Sequence, residues 1–378
     1  MAKTLGVVVS GTRQKIDAAR SDYSRRRRRE FRHVKHARKH GTTIAGNYDW
    51  RFNKIIIPVP EVLDLAGNRH HTYEVARACR TNCLVHKKQS LLDFRETKII
   101  SSAAVLFLVA EIDRCRRFAG VNMLSGTFPR DKTLNTQMRD SGFYDALGVK
   151  CNIDDTEKVF PVEYIKVRSG VQADGRIARE LRQALLGPQE ELFDKGKRNS
   201  FFRGLSEAMT NVSQHAYPPD LVGPIKTIDK GWWMLGHINK KSKQLKIMIV
   251  DQGVGIPRTL PRKYREVMNE FFAKVGVTAP TDGNVIRAAM EVGRSRTLQT
   301  NRGKGLNDLK EIIDRCQAGS LRILSKKGEY CYKITNGRVD ESARSSDESL
   351  NGTLVEWSIP LRAIMPFLLG EEIEADEA

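Results

Sequence analysis

Two absences bound this chain before any motif is considered. No apolar run is long enough to cross a bilayer: the longest, Ile99 to Ile112, is broken by Ser101, Ser102 and Glu111 and falls short of the roughly 20 residues that a spanning helix needs. Cysteine is sparse as well. Cys79, Cys83, Cys115, Cys151, Cys316 and Cys331 are scattered without a CxxC pair, which argues against a disulfide framework and predicts reduced core thiols. Cys79 and Cys83 have helical i, i+4 spacing near His70 and His71, but no fourth metal ligand is evident. A secretory signal is also missing, because Lys3 is followed by a short apolar run and then by Gly11-Thr12-Arg13. The expectation is a cytoplasmic protein with no membrane partner.

Positive charge, in contrast, is abundant. The formal net charge is +19, and residues 1–50 supply +9 of it, with Arg25 to Arg29 unbroken. Residues 12–40 are therefore a candidate arm for nucleic acid or another polyanion. A solvated arm or a docking segment for an acidic protein partner fits the same composition. Tyr23 and Phe31 are too few to build a base-stacking platform. At the other end, residues 366–378 form an acidic tail.

A length of 378 residues allows two or three domains. From about residue 51 to 165 strand and helix patterns alternate. Ile55 to Val59, Ser90 to Phe94 and Val121 to Leu124 read as strands, and Tyr73 to Cys83 and Ala103 to Arg117 as helices. The α/β fold class follows: a sheet covered by helices. In LLDFRETKIISSAAVLFLVAEI a strand ends in Asp93, followed by a loop with serines and then a helix; this resembles the STAS domains of anti-sigma-factor antagonists. The resemblance implies Ser102 as a phosphate acceptor, whereas a serine opening a helix is also the ordinary N-cap choice, so Ser101 and Ser102 keep both readings. Gly142 is predicted to close the last helix of this unit. Residues 161–175 read as a junction.

Residues 170–365 hold the residues that suggest chemistry. In SFFRGLSEAMTNVSQHAY, Glu207, Asn211 and His215 recur every four residues, which predicts one face of a helix. In KIMIVDQGVGIP, an apolar strand runs into Asp251 and the glycines Gly253 and Gly255. In TNRGKGLNDLKEII, Gly303, Lys304 and Gly305 precede Leu306 and an amphipathic helix whose first N–H groups suit a phosphate. Two strands, Asp229 to Asn239 and Gln244 to Val250, predict a hairpin. A second hairpin is expected from Leu321 to Ser325 and Glu329 to Ile334, then a loose polar loop through Glu348 and a final strand from Leu354 to Ile359 that follows Asn351-Gly352-Thr353.

These four motifs, in this order, resemble the GHKL superfamily of ATPases, whose histidine-kinase-like ATP-binding domain has the Bergerat fold. The resemblance implies a GHKL α/β sandwich after the STAS-like α/β domain, with ATP and Mg²⁺ as cofactors. It implies Glu207 as general base for the attacking water, Asn211 as the magnesium ligand, Asp251 as the acceptor for the adenine amine, and Thr353 beside the base. Gly253 and Gly255 would let the backbone approach adenine, and Gly303, Gly305 and Leu306 would line the phosphates. Lys304 either neutralises phosphate charge or faces solvent, and His215 either supports the site or is a core histidine. The segment Pro257 to Asn301 would be the lid, with Gly276, Gly283 and Gly293 as flexible points and Arg294, Arg296 and Arg302 as phosphate partners. The implied function is a regulatory, Mg-ATP-hydrolysing switch whose lid controls a protein partner, with a homodimer as a familiar arrangement. Alternatives are a serine/threonine kinase resembling anti-sigma kinases and a non-catalytic nucleotide-sensing, nucleic-acid-binding subunit.

Overall fold

The computed structural model describes residues 47–49, 53–149, 151, 162–172, 204–222, 230–295, 306 and 308–364. The fold is mixed α/β, a small, mainly parallel sheet being followed by a larger antiparallel one. The small sheet has the order β1 (Asn47–Asp49), β2 (Lys54–Pro58), β4 (Ser90–Asp93), β6 (Leu124–Gly126). β2, β4 and β6 are parallel and β1 is antiparallel to β2. A minor parallel pair joins β3 (Val62–Leu63) to β5 (Ile99–Ile100).

Parallel strands require crossovers, and helices supply them. α1 (Arg69–Arg80) runs into a π-turn at Thr81–Val85, and α2 (Ser102–Ala119) connects β5 to β6. The side-chain oxygen of Ser101 accepts the Ala104 N–H at 3.3 Å, so Ser101 is the N-cap and Ser102 the first helical residue. α3 (Lys132–Asp140) is capped by Asp131, and Gly142, at φ +83°, separates it from α4 (Phe143–Leu147), closing it as predicted. The strand expected at Val121–Leu124 begins instead at Leu124, after a turn that leaves Val121 exposed.

The large sheet has the order β10 (Gly319–Thr335), β11 (Arg338–Pro360), β9 (Gln244–Asp251), β8 (Trp232–Asn239), β7 (Val162–Gly170), every pair antiparallel. Three expectations are corrected here. The supposed junction at 161–175 contains β7, an edge strand whose Ile165 is buried in the core on one face, while Tyr164 and Val167 pack on the other. The boundary expected near residue 165 therefore falls inside a strand. The second hairpin and loose loop are one long ribbon. Its turn is Asn336-Gly337, both with positive φ, and the Lys326–Gly328 stretch that resembled a turn is a bulge within β10. The first hairpin, β8 with β9, matches the sequence pattern.

Residues facing opposite sides of the large sheet alternate with period two. Trp233, Leu235, Met248, Val250, Leu324 and Leu354 pack into one core with α1 and α2 of the N-terminal half. Trp232, Met234, Ile249, Ile323, Val355 and Trp357 face the opposite layer. That layer contains α5 over 204–211, which continues as a π-turn at Val212–Ala216, then α9 (Asp282–Ser295) and α10 (Asp308–Cys316). α6 (Pro219–Val222), α7 (Ile256–Lys263) and α8 (Arg265–Lys274) complete it.

α2 is therefore enclosed between two sheets, which explains why Ala103 to Ile112 is buried without interruption instead of along one stripe. The one carboxylate in that run, Glu111, is fully buried and bonded by Arg80. No helix among the described residues is long and apolar enough to cross a membrane. The six cysteines are unbridged, and Cys79, Cys83 and Cys115 are fully buried.

Candidate functional site

Asp251 ends β9 on the face turned toward the helices, opposite Trp232 in register. It is 4% exposed, and one carboxylate oxygen accepts the Gly253 N–H at 2.7 Å. The Thr353 N–H and hydroxyl also bond to it. These donors do not offset burial, which lifts the Asp251 carboxyl to about 7; the Gly253 and Thr353 bonds and the Lys326 charge pull it part of the way back. The result is a buried carboxyl that changes protonation near neutral pH.

Neighbouring strands fix the surroundings of that carboxylate. Ser325 on β10 stands 3.0 Å from the Thr353 hydroxyl, donates to the Gly352 carbonyl at 3.0 Å and accepts the Ile256 N–H at 3.0 Å. Tyr217 closes the other side: its hydroxyl donates to the Gly231 carbonyl at 2.7 Å and accepts the Gln252 N–H at 3.1 Å. Gly253 is needed because a Cβ there would lie 2.2 Å from the Ala216 carbonyl oxygen. The side of Gly253 that a Cβ would occupy is thus taken by the chain itself. The Val254 N–H donates to the same Ala216 carbonyl at 2.9 Å, tying the end of the α5 segment to the Asp251 turn.

α5 buries Leu205, Ala208 and Met209, its π-turn continuation buries Val212, and Glu207 and Asn211, both half-buried, lie along the flank of that stripe. The Asn211 amide nitrogen is shielded from solvent with no hydrogen-bond partner. His215 does not share their face. The π-turn interrupts the 3.6-residue period after Asn211 and leaves His215 exposed, which also corrects the core-histidine reading.

The structure brings together Asp251, Gly253, Gly255 and Thr353, linked through Ala216 to the helix of Glu207 and Asn211. Leu306 packs half-buried on the same core. Gly303, Lys304, Gly305, Arg296, Arg302 and the side chain of Arg294 lie outside the described residues, as do the arm over 1–46 and the tail. The expected lid holds three helices, α7, α8 and α9, and Gly283 and Gly293 are helical. Gly283 packs so closely on the Arg344 backbone that a Cβ would lie 2.4 Å from its carbonyl oxygen. Gly276, at φ +69° between α8 and α9, keeps the character of a turn.

Sequence reasoning passed over Ser325, Lys326, Gln252 and Arg114. Lys326 sits in the bulge of β10 at φ +54°, its ammonium held below the ordinary lysine range by burial and by Arg258 and Arg80, with Asp251 opposing. The K-K-G that mimicked a turn was the only signal for it. A cleft of about 710 Å³ opens elsewhere, lined by Asp220, Pro261, Arg265, Met268, Phe272 and Val285 among others. None of the predicted site residues lines it, and its walls mix apolar side chains with Asp220, Arg265 and Asn269. Compared with known protein families and with curated proteins, the chain finds no match.

Proposed function

We propose that the protein is a cytoplasmic ATP-binding switch, with a GHKL-type Bergerat sandwich over about residues 170–365 built onto a STAS-like unit over about 51–165. The observation that carries the reading is Asp251. Its carboxylate is buried at a strand end, beside Thr353, and burial outweighs the bonds that Gly253 and Thr353 give its ionised form. An exocyclic amine such as that of adenine would add a further donor, whereas a carbonyl at the same place would repel the ionised carboxylate.

The residues also fit a magnesium nucleotide. Asn211, whose amide nitrogen has no partner, occupies a half-buried place one helical turn after Glu207. A half-turn of the amide presents its carbonyl oxygen there with the same shape, the type of oxygen ligand Mg²⁺ accepts along with waters and phosphates. When bound, the ion would neutralise charge on the phosphates. Glu207 would take the proton from the attacking water, whose oxygen then forms a bond to the terminal phosphorus as the ADP oxygen leaves. The enclosing helices α7 to α9 would respond to the nucleotide and alter how a protein partner is held. Nucleic-acid contact through residues 12–40 and a homodimer are further parts of the proposal.

The test is phosphate release from Mg-ATP by purified protein. The expected result is slow release that Glu207→Ala abolishes while ATP binding persists. Label transferred to the protein or to an added antagonist, without free phosphate, would replace the ATPase by the kinase. Failure of the folded protein to bind ATP would remove both.

A further inference from the structure

Arg114 belongs to the N-terminal half, on α2, yet its guanidinium ends on the turn that follows Asp251. Arg114 is 5% exposed, its Nη2 donates to the Gln252 carbonyl at 3.3 Å, Glu111 lies 3.9 Å from Nη1, and Nε is buried without a partner. A buried guanidinium with so few partners is a costly way to fill space that a methionine or leucine would fill more cheaply. Its position therefore calls for a reason beyond packing.

That reason is visible in one peptide unit. The Gln252 carbonyl and the Gly253 N–H belong to the same planar group, so fixing the oxygen at one end aims the N–H at the other. Arg114 holds the oxygen, and the Gly253 N–H donates to the Asp251 carboxylate at 2.7 Å. A cationic donor on the carbonyl also polarises the peptide and strengthens its N–H as a donor. Tyr217 accepts the preceding N–H, of Gln252, and steadies the turn from the opposite layer. One residue before Arg114, Asp113 accepts the Trp233 indole N–H at 2.9 Å, which fixes this part of α2 against β8.

We propose that Arg114 is a positioning residue for Asp251, holding the Gln252–Gly253 peptide so that its N–H meets the carboxylate. The N-terminal half thereby shapes the candidate nucleotide site, and any movement of α2 changes the carboxylate that the ligand meets. The effect on ligand rests on the ATP reading; the effect on the turn does not.

Amide hydrogen exchange across residues 252–254 separates the two, measured with urea unfolding and Mg-ATP titration on the full chain. In Arg114→Met, exchange at Gly253 is expected to rise about tenfold beyond what the global stability change accounts for, the size expected for losing one charged hydrogen bond. ATP affinity falls by a similar factor, and Arg114→Lys, which keeps a cationic donor, recovers part of both. Should Arg114→Met not fold, Arg114→Gln serves in its place with the same expectation. Exchange at Gly253 that follows global stability alone overturns the proposal. A parent that binds no ATP but shows the local exchange change removes the nucleotide reading and upholds the positioning role.

Discussion

Two buried carboxylates in this molecule receive opposite treatment. Glu329 on β10 is 2% exposed and is bonded by Arg69 at 2.6 Å, Arg322 at 2.7 Å and Arg344 at 2.8 Å. Although burial opposes it, this set of arginines holds its carboxyl at about 2. Asp251 is likewise shut off from solvent but lies deeper and has no arginine bonded to it; its donors are one glycine N–H and Thr353, and burial lifts it to about 7. Glu329 joins α1 of the N-terminal half to the β10–β11 ribbon, since Arg69 and Arg322 also reach the Leu65 carbonyl. A carboxylate meant to hold a structure together is saturated with partners. One whose burial outweighs its partners, at a cost to the fold, is a candidate for function.

The most damaging way to break the comparison is Glu329→Gln, which removes the buried charge shared by the half-buried Arg69 and Arg322. Removing one partner from such a network costs about 3–5 kcal/mol, read as a lower urea midpoint, with little change in ATP affinity. The sign of the pH effect is fixed by the depressed carboxyl. Its stabilisation is present above the unfolded value of 4.5 and is lost as pH falls toward 2.

Asp251→Asn is expected to act the other way. A carboxyl raised from 3.8 to about 7 contributes stability that is full below pH 3.8 and is lost as pH rises through 7. The asparagine variant should therefore be more stable than the parent at pH 8, by on the order of 2–4 kcal/mol, and the gain should shrink toward pH 5. Thermal unfolding across that range checks it. An unchanged pH profile would mean that Asp251 carries no burial penalty.

Gly253→Ala forces a methyl toward the Ala216 carbonyl and should cost about 1–3 kcal/mol, with weaker ATP binding as the turn opens. The mildest change is Ser325→Ala, which removes bonds to Gly352 and Ile256. A loss of about 1 kcal/mol is expected by chemical denaturation.

Local pattern made much of this legible. The apolar strand ending in Asp251-Gln252-Gly253, the hairpin β8–β9, the Ser101 cap and the Gly142 stop were all readable from sequence, because each depends on neighbours in the chain. What was not readable depends on packing between distant segments. β7 looked like a junction because Glu163, Lys166 and Arg168 interrupt its apolar residues and a register shift breaks its period along the edge. Lys326 looked like part of a turn because a bulge and a turn both use glycine and positive φ, whereas the turn itself is Asn336-Gly337. Arg114 gave no signal at all, since only the approach of α2 to the Asp251 turn gives it meaning.

The most direct test of the central claim is calorimetric titration of Mg-ATP into the parent and into Asp251→Asn at pH 8, where the aspartate is ionised. The account predicts micromolar-range binding by the parent, on the order of 8 kcal/mol, and at least about a hundredfold loss in a variant that is itself more stable. Equal affinity in the two proteins, or no binding by either while both remain folded, would contradict it.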